Sequence, residues 1–179
     1  FLKNVRKGKD VHLGKRVAVI GGGNSALDVA RTCLRMGAEE VTIVYRRSRL
    51  EMPAREQEVR ETEAEGVRLF LVATPSRIMK GNGHLKLEVL RTWLGKPDKS
   101  GRRRPIPLPG TQFIIEVDNV IAAIGQGPDF SFLSSGSRVS QLTVSDNTLI
   151  VDPDTFETSA KGIFAAGDAV SGPRTVIEA

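Results

Sequence analysis

The sequence predicts an α/β fold, a parallel βαβαβ sheet with an antiparallel three-stranded β-meander inserted as a crossover. Three observations predict it. A Val- and Ile-rich run, Arg16–Ile20, ends in three consecutive glycines and is followed at once by apolar residues at helical spacing. Short apolar runs then alternate with helical stretches as far as residue 73, the pattern of strands joined by crossover helices. From residue 77 the apolar runs become half-polar and are separated by turn residues, which suits antiparallel strands with one wet face.

The elements follow in order. Residues 1–15 are polar and basic, contain Gly8 and Gly14, and show no sustained period, so they read as a connection entering a domain. Arg16–Ile20 is the first buried strand, and Gly21, Gly22 and Gly23 make the turn after it. From Asn24, the residues Ala26, Leu27, Val29, Ala30, Cys33 and Leu34 recur at helical spacing, and Gly37 stands just past the end. Within that helix, Asp28 would need partners if buried, and it reads as a structural or domain-contact residue, with catalysis as the alternative. Residues 41–45 form the second strand, and residues 53–65 a charged, mostly exposed helix with Pro53 in its first turn. Residues 67–73 give the third strand. The meander is read at residues 77–80, 85–93 and 112–117, with a turn at 81–83 and a long loop at 95–110. Residues 119–124 return to a buried strand. Further short strands are expected at 141–144, 149–151 and 162–168.

With 179 residues and 40% hydrophobic content the chain can bury an ordinary core. Its longest apolar runs fall far short of the roughly 20 residues that span a bilayer, so no membrane segment or membrane partner is expected. One cysteine, Cys33, permits no internal disulfide or dithiol pair, which suits a reducing compartment and a cytoplasmic location. His12 and His84 have no ligand-spaced companions, so no metal site is expected. The chain begins without Met and stops in what reads as an unfinished helix, so it is expected to be a piece of a longer polypeptide.

The net charge of +5 comes largely from two clusters, Arg46, Arg47 and Arg49, and Arg102, Arg103 and Arg104. Nucleic-acid binding would call for aromatics interleaved with the basic residues. Only Tyr45 and Trp93 lie near, so no nucleic-acid partner is expected. The second cluster lies in a Pro- and Gly-rich stretch and reads as a solvated loop, with a docking patch for an acidic partner as the alternative.

The chemistry is carried by the first cluster and by the glycines. Gly21, Gly23 and Ala26 match the G-x-G-x-x-A form of the dinucleotide fingerprint, between a strand and a helix, so the fold is Rossmann-like. Gly21 permits the tight turn, Gly23 lets backbone approach a pyrophosphate, and Ala26 keeps the helix close to the sheet. Backbone N–H groups around Asn24 and Ser25 would face the phosphates with the positive helix end behind them. NAD sites place a carboxylate at the end of the second strand, roughly 20 residues on. Here Arg46 and Arg47 stand there instead, and guanidinium groups suit the 2′-phosphate of NADP(H).

These residues also carry a resemblance. The runs VAVIGGGNSALD at 17–28, VYRRSR at 44–49 and EMPA at 51–54 resemble the NADPH-binding domain of the glutamate synthase small (beta) subunit family. That family belongs to the two-dinucleotide-binding flavoprotein superfamily, which is pyridine nucleotide-disulfide oxidoreductase-like. The likeness continues through GKPD at 95–98 and GRRRP at 101–105 to the end of the chain. It implies residues 1–15 as a connecting segment, 16–127 as the NADPH-binding domain, and 128–179 as the C-terminal part of an FAD-binding domain. The run VIAAIG at 120–125 is similar to the passage back to the FAD domain, which implies that Ala123, Ile124 and Gly125 lie near the nicotinamide nucleotide. GIFAAGD at 162–168 and GPRTVIEA at 172–179 are similar to the second FAD motif and the helix start beyond it, which implies FAD contacts for Gly167, Asp168, Thr175 and Val176.

The implied activity is hydride transfer from NADPH to FAD, with electrons passed onward to a glutamate synthase large subunit or an iron-sulfur partner. No catalytic side chain is expected, since the cofactors carry that chemistry. The other FAD fingerprint and a Cys-rich cluster region are absent from these residues, so the chain alone is expected to hold FAD poorly and to be inactive. Two other readings are a thioredoxin reductase-like flavoprotein, which needs a Cys-x-x-Cys just before the glycines where residues 1–15 have none, and a noncatalytic NADP(H)-binding module.

Overall fold

β-branched residues flanked by glycine favour a buried strand, and β1, Arg16–Ile20, buries Val17, Ala18 and Val19 almost completely. In the computed structural model, which describes residues 1–98, 100–131, 133 and 139–172, β1 is a central strand of a four-stranded parallel sheet. Its neighbours are β2 (Glu40–Tyr45) and, on the other side, β8 (Asn119–Ala122); β3 (Arg68–Leu71) pairs with β2. The order β3-β2-β1-β8 is that of a doubly wound half-sheet. The chain divides into two compact units, residues 1–125 and 126–179.

Alternate residues of a strand face opposite sides, and each side of this sheet has its own cover. Val17 and Val19 of β1, with Val41 and Ile43 of β2, pack against Ala26, Leu27, Ala30 and Cys33 of α2, Asn24–Arg35. Val59 of α3, Glu56–Ala64, joins that core. Ala18 and Val44 face the other way, toward Ala73, Leu87, Val89 and Val117 of the antiparallel layer. Burial pushes the Cys33 thiol up to about 11, so this side chain behaves as a small core residue.

The antiparallel layer contains β4 (Ala73–Lys80), β5 (Leu85–Pro97) and β7 (Phe113–Val117), with β4 and β7 both paired to β5. This is the three-stranded meander read from the sequence. A fourth strand, β6 (Arg103–Pro107), forms where a loop was expected at 95–110, and pairs with the distal half of β5. The two arginines and two prolines of this strand hide it because its pairing partner, not its own pattern, supplies the extended conformation.

Other expectations are corrected. Residues 1–15 include a five-residue helix, α1 (Leu2–Arg6), and Phe1 and Leu2 pack against the core. Pro53 lies before its helix rather than in the first turn. The chain first makes a 3₁₀ turn at Arg49–Glu51 with Ser48 and Glu51 capping each other, and α3 begins at Glu56. The third strand stops at Leu71 because Val72 takes φ +52°, a left-handed conformation costly for a β-branched residue. Asp28 is exposed, so it has no buried charge to satisfy. In the second unit, β9 (Val144–Ser145) and β10 (Thr148–Leu149) form a two-residue hairpin. Residues 162–168 form no strand. Phe164 makes an isolated bridge to Glu157, and the short helix α4 (Asp168–Ser171) begins at Asp168. Among the described residues no helix is long and apolar enough to cross a membrane.

The entry to β1 is fastened to the start of β8. Asp118 accepts from the Arg16 backbone N–H at 2.8 Å and from its guanidinium at 3.1 Å, while Asn119 Oδ1 accepts from Gly14 N–H at 2.7 Å. The backbone bond to Arg16, then its guanidinium, hold the Asp118 carboxyl below its ordinary value of 3.8. A carboxylate with a depressed folded pKa contributes stability above its unfolded value and loses it as pH falls through the folded one. Acid unfolding should therefore show the wild type losing stability below about pH 4. Asp118→Asn should be less stable at neutral pH, with the difference shrinking as pH falls. Parallel denaturation curves at every pH would contradict this.

Candidate functional site

The ends of β1 and β2 and the turn after β1 create a cleft. Gly21 takes φ +146°, and a Cβ built there would stand 2.2 Å from the carbonyl oxygen of Ala123 after β8. Only glycine lets the two strand ends come this close. A Cβ at Gly22 would meet the Tyr45 ring at 2.5 Å, and the Tyr45 hydroxyl donates to the Glu51 carbonyl at 2.6 Å. At Gly23 the nearest atom, Pro53 Cγ, is 3.6 Å away, so the surface there is open. Gly23 is the N-cap of α2 and supplies no side-chain cap. The first turn of α2 holds no acidic residue, and the N–H groups of Asn24 and Ser25 have no acceptor among the described residues. Unsatisfied donors at the positive end of a twelve-residue helix make an anion site.

The cleft is about 520 Å³, within the usual range for a ligand pocket. It is lined by Gly21, Gly22, Gly23, Ser25, Arg46, Arg47, Ala123, Ile124 and Gly125, nine of the residues singled out in the sequence. Two more stand beside it in other roles. Asn24 Oδ1 accepts from the Arg55 N–H at 3.2 Å, and Ala26 is fully buried beneath the turn, where it sets how closely α2 meets the sheet. Gly167 and Asp168 lie in the second unit, Gly167 at φ +68° before α4 and Asp168 as its first residue. Thr175 and Val176 lie outside the described residues.

The two arginines after β2 are unlike each other. Arg46 is exposed, and its side chain has no hydrogen-bond or ion-pair partner among the described residues. Its carbonyl accepts from the Thr92 hydroxyl at 2.8 Å, and the Arg47 carbonyl accepts from Val72 N–H at 3.0 Å, so β5 and the strained Val72 fix the backbone that aims Arg46. Arg47 is 3% exposed. Its Nε donates to the Arg103 carbonyl at 2.7 Å, and its terminal nitrogen pairs with Asp98 at 2.6 Å. The side chain and backbone of Ser100, with Arg47 beyond them, hold the Asp98 carboxyl below the usual range. Glu51 is lowered by the Ser48 hydroxyl first and by Arg103 second. Asp98 and Glu51 are thus both paired, while the Arg46 side chain is left to the cleft.

The cleft is also lined by residues that the sequence reading did not name as site residues, Thr74, Pro75 and Arg102 among them. Arg102 was read as part of a solvated loop, and only the pairing of β6 with β5 carries it to the cleft. A second depression, lined by Lys96, Asp98 and Arg104 among others, adjoins the first and shares Arg46 and Arg47 with it.

The profile of the pyridine nucleotide-disulphide oxidoreductase family matches residues 1–179. The chain belongs to this family. It is 48% identical over 187 residues to the NADP(+)-dependent formate dehydrogenase subunit beta of Moorella thermoacetica, covering 100% of this chain and 26% of that one. It is 40% identical to the NADPH-Fe(3+) oxidoreductase subunit beta of Geobacter sulfurreducens, over 99% of this chain and 29% of that one. The glutamate synthase [NADPH] small chain of Azospirillum brasilense is 38% identical over 92% of this chain and 34% of its own length. The chain thus spans about a quarter to a third of these relatives. Among solved structures, FprA of Mycobacterium tuberculosis in complex with NADPH matches with TM-score 0.66 at 21% identity, over 92% of this chain and 49% of that one. T. acidophilum thioredoxin reductase matches with TM-score 0.64 at 24% identity, over 90% and 46%. At these identities the two structures attest the fold, and the family resemblance read from the sequence is borne out by the profile and the relatives.

Proposed function

We propose that this chain binds NADP(H) in the cleft above β1 and β2, prefers it to NAD(H), and is the nucleotide-binding part of a longer flavin-dependent oxidoreductase. The observation that carries this reading is a glycine-built anion site whose neighbouring cation, Arg46, stands where an NAD site keeps a carboxylate. The residues fit the cofactor: the open surface over Gly23 leaves backbone accessible to a pyrophosphate, and the free N–H groups of Asn24 and Ser25 suit its oxygens. Ala123, Ile124 and Gly125 also line the cleft, and the nicotinamide end would lie beside them.

When bound, NADPH supplies a hydride and FAD accepts it. The chain's own residues bind and orient. The α2 terminus neutralises the pyrophosphate, Arg46 takes the 2′-phosphate, and Gly21 keeps the Ala123 carbonyl against the turn. Gly167 and Asp168, with Thr175 and Val176, are proposed contacts of the FAD domain, whose C-terminal part is residues 128–179, after an NADPH-binding domain at 16–127. The relatives are named as subunits of NADPH- or NADP(+)-dependent enzymes, which supports onward electron transfer to a partner subunit, a glutamate synthase large subunit or an iron-sulfur protein. Calorimetric titration should give an NADPH Kd at least about tenfold below that for NADH, a gap of about 1.4 kcal/mol. Equal affinities would refute the cofactor preference.

A further inference from the structure

A phosphate dianion is best held by more than one cation, and Arg46 approaches the cleft from one side only. The tip of the β5–β6 hairpin supplies a second approach. Arg102 lines the same cleft, and its Nε donates to the Ser100 hydroxyl at 3.0 Å. No other side-chain partner of Arg102 is found among the described residues, so the rest of its fork is free to face an anion. Ser100 in turn donates to Asp98 Oδ1 from both its N–H (2.8 Å) and its hydroxyl (2.5 Å). Asp98 Oδ2 takes the buried Arg47, and the Asp98 N–H donates to the Arg102 carbonyl at 2.8 Å. A continuous relay therefore runs from the end of β2 through Arg47, Asp98 and Ser100 to Arg102.

We propose that Arg102 is a specificity-determining residue that closes the 2′-phosphate site from the β5–β6 hairpin, and that Arg47 and Asp98 are positioning residues that hold it there. This rests on the NADP(H) reading given above. Arg47 then acts through the hairpin: its guanidinium is spent on Asp98 and the Arg103 carbonyl, and Arg46 and Arg102 make the direct contacts. Arg104 lines only the adjoining depression and provides a comparison of equal charge on the same hairpin.

The test is titration of the wild-type chain and of Arg102→Ala, Arg104→Ala, Asp98→Ala and the Arg102→Ala/Asp98→Ala pair with NADPH and NADH. Arg102→Ala should weaken NADPH about tenfold and leave NADH unchanged, whereas Arg104→Ala should change the ratio little. Asp98→Ala should lower the NADPH preference alone and add nothing in the Arg102→Ala background, which a merely structural role would not produce. If the wild type prefers NADPH and Arg102→Ala keeps the whole gap, this proposal fails while the cofactor reading stands. If Arg104→Ala loses as much as Arg102→Ala, the effect is general charge and the proposal also fails. If the wild type shows no preference, the reading beneath it falls and takes it down.

Discussion

Gly21→Ala should destabilise the chain and abolish nucleotide binding, the largest single-residue effect expected here. The residue sits at φ +146°, and the added Cβ would lie 2.2 Å from the Ala123 carbonyl oxygen and 3.3 Å from the Ala26 Cβ. The first atom is backbone and cannot rotate away, so β8 must separate from the turn or the turn must unwind. Strain at such a conformation costs about 1–3 kcal/mol, and displacing packed atoms about 1–3 kcal/mol more. Either movement dismantles the cleft. Gly23→Ala separates the two duties of the glycines. Its Cβ meets nothing closer than 3.6 Å and its φ of −93° suits any residue, so stability should fall by at most about 1 kcal/mol through the poorer N-cap. NADPH binding should nevertheless weaken strongly, because the Cβ occupies the open surface. Urea unfolding and NADPH titration on both variants check this, and equal stability losses for the two would contradict it.

Arg46→Ala should erase the NADPH preference at almost no cost in stability. The side chain is exposed and makes no internal bond, so its removal should leave unfolding within about 0.5 kcal/mol of wild type. A hydrogen bond to a charged group contributes roughly 1.5–3 kcal/mol, and NADPH should weaken by about that amount while NADH does not. Arg47→Ala should behave differently. It removes a buried guanidinium bonded to Asp98 and the Arg103 carbonyl, so stability and hairpin position should be lost together with the preference. A pair that responded alike would argue that both arginines contact the phosphate directly.

The contrast between these neighbours marks how far the sequence could be read. The strand, glycine turn and twelve-residue helix were legible because each rests on local periodicity and on residues with one conformational use, and Asn24–Arg35 forms as its spacing requires. Of the nine cleft residues named beforehand, the glycines, Ser25 and the two arginines follow from the same fingerprint, whereas Ala123, Ile124 and Gly125 came only from the family resemblance; the ends of β1, β2 and β8 bring the two sets to one cleft. Arg46 and Arg47 looked equivalent because alternation along the chain says which residue turns inward only when the partner layer is known. The β6 strand escaped because Arg103, Arg104 and two prolines have weak intrinsic strand preference, and its pairing with Thr92–Pro97 is long-range. Arg102 was invisible as a site residue on the same ground. Val72 illustrates the converse: a residue suited to continue the strand breaks it, because its carbonyl accepts from Thr92 N–H and its own N–H donates to Arg47, two bonds that define the corner under Arg46.

A 2′-phosphate site at this corner is tested most directly with two ligands that differ by that group alone. Calorimetric titration with 2′,5′-ADP and with 5′-AMP should show the bisphosphate binding at least about tenfold tighter, with an advantage that shrinks as salt is raised. Indistinguishable affinities for the two would contradict the assignment of Arg46 and its surroundings as an NADP(H) site.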